Sequence, residues 1–154
     1  MLYGKSNEKG GKCMIHYICR YEMNKCKIVQ NNHNVQIIND TVLHVLDTMC
    51  LQNGSTWEGR RKAAEWNLNI HRRIPVLVSE SYKDIFFPTK GFKHVECIWI
   101  NYRAIYKIER RKKGSRIIFL DQSSLDILID IRTIRLSMKL CVQYLYLLGL
   151  INKK

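Results

Sequence analysis

Cys13, His16 and Cys19 stand three residues apart with Cys26 beyond them, and thiol and imidazole groups at such spacing are donors for zinc. The surrounding pattern points elsewhere. Ile15, Tyr17, Cys19 and Tyr21 alternate with His16 and Arg20, the period-two signature of a half-buried strand. On a strand, Cys13 and Cys19 share one face while His16 takes the other, so a metal site would need this segment to be a loop. No metal is expected. Catalytic chemistry has as little support. The chain carries no Gly-x-Ser-x-Gly, no phosphate loop and no dinucleotide-binding glycine pattern, and its five His are scattered. Neither enzymatic activity nor a cofactor is expected.

The groups that can act chemically are cationic. Arg60-Arg61-Lys62 and Arg72-Arg73 bracket one segment, and Arg110-Arg111-Lys112-Lys113 with Arg116 makes a basic loop. Arg103 and Lys107 fall on one face of the strand expected before that loop, and few acids stand nearby. Each cluster alone also fits a solvated face; together they point to nucleic acid. Lys and Arg clusters contact phosphates and release counterions, and Arg-bearing loops enter narrow A·T-rich minor grooves, where the negative potential is enhanced. Trp57, Trp66 and Trp99 offer rings for base stacking. Trp99 is expected in the core, and Trp57, beside Arg60, is open. No zinc finger, basic zipper or helix-turn-helix is readable.

The whole composition agrees. The chain has 154 residues, about one domain, with a net charge of +13, 46% apolar and 25% charged residues. Residues 1–59 carry 6 basic and 5 acidic side chains, whereas residues 60–154 carry 20 basic and 8 acidic. Such a field favours nucleic acid or an anionic membrane, and the last two-thirds of the chain should build the partner surface. No uncharged apolar run reaches the ~20 residues of a spanning helix, and no secretory signal is visible, so a cytoplasmic address with reduced thiols is expected. Cys50 and Cys97 are expected as small buried hydrophobes.

These groups need elements to position them. Met1–Lys12 reads as a flexible tail, with the domain spanning 13–150. Asn31-Asn32-His33-Asn34 predicts a turn between strands Cys26–Val29 and Val35–Ile38. Val42–Leu51, β-branched at its start, is expected as a strand, with helix the alternative. Gly54–Leu68 holds good helix formers with Ser55 or Thr56 as cap, so a short helix is expected, with a Gly59-containing loop the alternative. Pro75–Val78, Ile85–Phe87, Cys97–Ile100 and Tyr102–Ile108 read as strands. Arg116–Leu120 and Leu125–Ile129 flank a second hairpin turn. From about 132 to 148 the period becomes helical, with Ile134, Met138, Cys141, Leu145 and Leu148 on one stripe and Gly149 as the stop. The fold class is α+β: one domain with a mostly antiparallel sheet or partial barrel, a short helix after Gly54 and a C-terminal helix.

Several rarer residues stand in a fixed order: Cys50, Gly54-Ser55, Glu58-Gly59-Arg60, Pro75, Phe86-Phe87-Pro88-Thr89 and Cys97-x-Trp99-Ile100. This order resembles the ComK family of bacterial competence transcription factors, most closely over residues 42–108. The resemblance implies a cytoplasmic, nucleoid-associated activator of DNA-uptake genes. It implies oligomers that bind paired A·T-rich boxes of double-stranded DNA, largely through the minor groove, and that recruit RNA polymerase. Longer family members carry a C-terminal tail read by the adaptor MecA, which delivers them to Clp proteolysis. This sequence shows no such tail, so adaptor control is not expected. The alternatives to a full activator are a short modulator that hetero-oligomerises with a longer family member and a non-specific nucleic-acid binder.

Overall fold

The computed structural model describes residues 13–152, so the tail expected over Met1–Lys12 lies outside the described residues. Three layers stack around a central sheet. Strands β1 (Ile15–Glu22), β2 (Lys25–Gln30) and β3 (Val35–Ile38) form an antiparallel meander. Helices α1 (Val42–Gln52) and α2 (Trp57–Leu68) follow, then β4 (Val76–Ser79), β5 (Asp84–Pro88) and β6 (Ile98–Asn101). These six strands make one open sheet in the order β3-β2-β1-β6-β5-β4. A 3-10 turn at Tyr102–Ala104 leads into β7 (Ile105–Arg110), β8 (Ser115–Phe119) and β9 (Ser124–Ile127), an antiparallel three-stranded sheet. Helix α3 (Ile131–Leu147) ends the fold. Both sheets are open; neither closes into a barrel.

The β4–β6 half of the central sheet is buried on both faces. Phe86, Val76, Val78 and Trp99 pack with Val45, Leu46, Met49 and Cys50 of α1. Phe87, Leu77 and Ile100 face the other way, against Ile117, Phe119 and Ile127 of the small sheet and Ile134, Cys141 and Leu145 of α3. Two covered faces explain why Ile85-Phe86-Phe87 is apolar without alternation, since outward and inward positions both meet core.

Both expected hairpins form, with Val29 opposite Val35 and Ile117 opposite Leu125. The C-terminal helix forms too. Asp130 caps it, its carboxylate accepting from the Arg132 amide, and Gly149 follows the last turn with φ of 73°. Trp99 is core at 1% exposure, and Cys50 and Cys97 are buried as expected.

Three expectations are corrected. Val42–Leu51 is helical, not a strand. Val45, Leu46, Met49 and Cys50 take the buried face, His44 projects outward, and the Thr41 hydroxyl accepts from the His44 amide as N-cap. Tyr102–Ala104 turns instead of continuing a strand, because the buried Asn101 side chain donates to the Ile15 carbonyl and accepts from the Arg103 amide. Arg103 therefore does not share a strand face with Lys107. Finally, β1 is a strand, but a register shift between Ile15 and Tyr17 breaks its alternation. Ile15 and Ile18 join the α1 side, and Tyr17 packs on the other core.

Candidate nucleic-acid interface

Helix α2 starts at Thr56, whose hydroxyl accepts from the Gly59 amide at 2.9 Å, and the Trp57 amide donates to Asp47 of α1 at 2.9 Å. These two bonds set the helix so that Trp57 meets Phe92 edge-on at 5.2 Å and Trp99 edge-on at 6.4 Å. One turn later, the Arg61 guanidinium lies 4.9 Å from the Phe92 ring centre and 5.9 Å from that of Trp57. Cation–π attraction holds it there. Helix α2 stops at Asn69 in the left-handed conformation, and the chain turns back through His71, Arg72 and Arg73.

A groove of about 520 Å³ results. Arg61, His71, Arg72, Arg73 and Lys90 contribute one side, Pro88, Thr89, Phe92 and Trp99 line it, and Leu128, Asp130 and Thr133 complete it. The segment under the groove is braced. The Thr89 amide donates to the Ile98 carbonyl at 2.9 Å, the Ile98 amide donates to the Thr89 hydroxyl at 3.0 Å, and the Cys97 thiol donates to the Lys90 carbonyl at 3.4 Å. Phe87 points into the core below.

The other half of the motif builds the α1–α2 corner. The Ser55 amide donates to the Cys50 carbonyl at 3.1 Å, and Gly54 has φ of 89°, which favours glycine. A Cβ on Gly59 would stand 3.0 Å from the Thr56 hydroxyl oxygen. Glu58 pairs with Lys62 one turn on, at 3.5 Å. Arg60 donates to Glu80 at 3.1 Å and to the Asn53 carbonyl at 3.2 Å, with its side chain only 15% exposed. It is a clamp between the corner and the β4–β5 turn, not a free phosphate ligand.

The second basic group sits on the small sheet. Arg111 and Arg116 both bond Asp126 of β9, Arg116 through Nε at 2.8 Å. These guanidiniums, Arg116 first, hold the Asp126 carboxyl well below the usual carboxylate range. Lys107 pairs with Glu109 at 3.4 Å, and Arg103 donates to the Tyr82 carbonyl. Acids therefore do accompany the clusters: Glu58 and Glu109 are local, while Glu80 and Asp126 come from elements distant in sequence. Arg61, Arg72, Arg73, Arg110, Lys112 and Lys113 have no ion-pair partner among the described residues.

These unpaired cations fall in two segments, and each approaches the β9–α3 connection. Arg61, Arg72 and Arg73 share the groove with Leu128 and Asp130. The turn after Arg110 presses on the same connection. A Cβ on Gly114 would lie 2.0 Å from the Ile127 carbonyl oxygen and 2.9 Å from the Leu128 Cα. Arg132, bonded to Asp130, and at longer range Arg110 keep the Asp130 carboxyl below its ordinary value. His71, Lys90 and Leu128 were missed by sequence reasoning. The only available signal was that Lys90 follows the Phe-Phe-Pro-Thr motif directly.

The zinc-type donors do not converge. His16 is 1% exposed and stacks on Phe119 at 4.3 Å, away from any thiol partner. Among the described residues, no group of three or more His, Cys, Asp or Glu could hold a metal ion. Burial pushes the thiols up, Cys26 to about 11 and Cys50 to about 12. No described helix is long and apolar enough to cross a membrane.

An α+β domain with a braced, cation-rimmed groove is the class these observations define. Residues 13–149 match the ComK protein family, nearly the whole chain, and the protein belongs to that family. Membership is consistent with a competence transcription factor. No curated protein and no solved structure matches the chain.

Proposed function

We propose that this protein is a sequence-specific DNA-binding activator of competence genes, non-enzymatic and cytoplasmic, that reads A·T-rich boxes through the minor groove. The observation that carries the reading is the groove itself. Cations from α2 and the segment after it meet the family motif Pro88-Thr89 and Trp99 there. Arg110, Lys112 and Lys113 are exposed near Gly114, which lies against Leu128. Phosphate contacts from these side chains would set position along the duplex, and groove shape would select the site.

Fluorescence anisotropy at physiological salt tests it, with one duplex carrying paired A·T-rich boxes and one G·C-rich duplex of equal length. A preference of about tenfold or more, roughly 1.4 kcal/mol, is expected for the A·T duplex. Equal binding would leave only a basic nucleic-acid binder.

A second reading has an observation of its own. Strand β3 is an edge of the central sheet, carries no charge, and exposes Val35 and Ile37. An uncharged edge is a template for strand pairing with another chain. It favours oligomers of this chain, or a modulator that joins a longer family member. Co-purification with such a member in the absence of DNA distinguishes the modulator.

A further inference from the structure

Leu128 is the most exposed large hydrophobic residue among those described, at 83%. Its neighbours explain its rigidity but not its exposure. Ile127 is buried and Ile129 half-buried, so the backbone at this point is tied to the core. The Ser115 hydroxyl donates to the Ile129 carbonyl at 2.6 Å, and Gly114 is in close contact with Ile127 and Leu128. Asp130 then caps α3. An apolar side chain thus projects into solvent from a connection fixed on both sides.

Its surroundings combine unpaired cations with the Asp126 and Asp130 carboxylates, which are bonded to Arg116 and Arg132. Arg61, Arg72 and Arg73 line the groove with Leu128. Gly114 of the β7–β8 turn lies against Leu128, and Arg110 at the end of β7 and Lys112 and Lys113 in that turn are exposed. Isolated exposed leucines are common and carry no message by themselves. One fixed on a rigid connection at the rim of a groove lined by unpaired cations has a specific use. Proteins that bind the minor groove insert apolar side chains between base steps while cations hold the flanking phosphates, and the duplex kinks there.

We propose that Leu128 is a DNA wedge that enters a base step and partly unstacks it. The proposal rests on the DNA-binding reading above and adds the residue that deforms the site. Pyrimidine–purine steps such as TA unstack most readily, so a box with TA at the insertion point would be preferred. This contributes specificity without a hydrogen bond to a base.

The test uses duplexes carrying paired A·T-rich boxes with 2-aminopurine replacing adenine at successive TA steps, titrated with the full chain. Fluorescence at one step per bound protein should rise on binding. Leu128→Ala should abolish the rise and weaken binding about tenfold while leaving the salt slope unchanged, because no phosphate contact is lost. Leu128→Phe should restore the signal, since another apolar wedge suffices. Tight binding by the wild type with no unstacked step, or a full signal from Leu128→Ala, would overturn the wedge and leave the DNA reading standing. Absence of binding to any duplex would overturn both. Because Leu128 is exposed, its replacement leaves the core intact, and an unchanged thermal melt verifies this.

Discussion

The guanidinium of Arg61 lies 4.9 Å from the centre of the Phe92 ring, joining a helix to the loop after β5 across the basic groove. The contact orders a cation at the groove without neutralising it. Arg60, its neighbour in sequence, is bound to Glu80 and the Asn53 carbonyl. Adjacent arginines are therefore held differently: Arg60 by hydrogen bonds that tie the fold together, Arg61 over aromatic rings with no acidic partner.

That division predicts opposite phenotypes. Arg60→Ala should lower stability by about 1 kcal/mol, since it removes two hydrogen bonds whose Glu80 end is solvent-screened. Urea denaturation measures this. Arg61→Ala should change stability little and weaken DNA binding. If Arg61→Ala proved the more destabilising of the two, the assignment of roles would be wrong.

The β7–β8 turn supplies a second contrast. Lys112→Ala with Lys113→Ala should reduce the slope of log K against log salt by about 2, at roughly 0.9 per phosphate contact. Arg116→Ala should instead disturb the pairing with Asp126 and leave most of the slope in place. An unchanged slope in the double lysine variant would remove this turn from the interface.

Acid should loosen the join between the sheets. His16 of β1 stacks on Phe119 of β8, and Asp121, which accepts from the Asn32 amide at 3.1 Å, stands 3.7 Å from its Nε2. Burial holds His16 below its ordinary value, His33 adds to the effect, and Asp121 opposes it. The unfolded chain therefore binds this proton more readily than the folded one. Stability should be complete above about pH 6.5 and fall as pH drops through the lowered folded value. Urea melts at pH 7.5 and 5.5 should show the loss, and His16→Phe, which keeps a stacking ring, should flatten it.

Gly114 is a stringent backbone site. Its φ is 84°, and a Cβ there would come within 2.0 Å of the Ile127 carbonyl oxygen. Gly114→Ala should destabilise by more than the ~1 kcal/mol of an ordinary left-handed position, because the turn must also move off β9. A thermal melt within a degree of wild type would contradict that close approach.

Much of the architecture was legible locally. Alternation and turn residues marked both hairpins, and the three-to-four spacing from Ile134 to Leu145 marked α3. Helix α1 was not, because β-branched Val42 and Val45 suggested a strand while the evidence for a helix lay in burial against the sheet. The bulge in β1 was hidden as well, since a register shift is decided by the partner strands.

The sequence by itself determined the excess of positive charge, its concentration after residue 59, and the motif order that identifies the family. These follow from residue types along the chain and need no contacts. Only the tertiary structure decided which cations face solvent. Glu80 is 20 residues from Arg60, and Asp126 is 10 and 15 residues from Arg116 and Arg111, so pairing at those separations depends on strand register and turn geometry. The same folding left Leu128 exposed at the rim of the groove lined by Arg61, Arg72 and Arg73, because its neighbour Ile127 took the inward face at the end of β9.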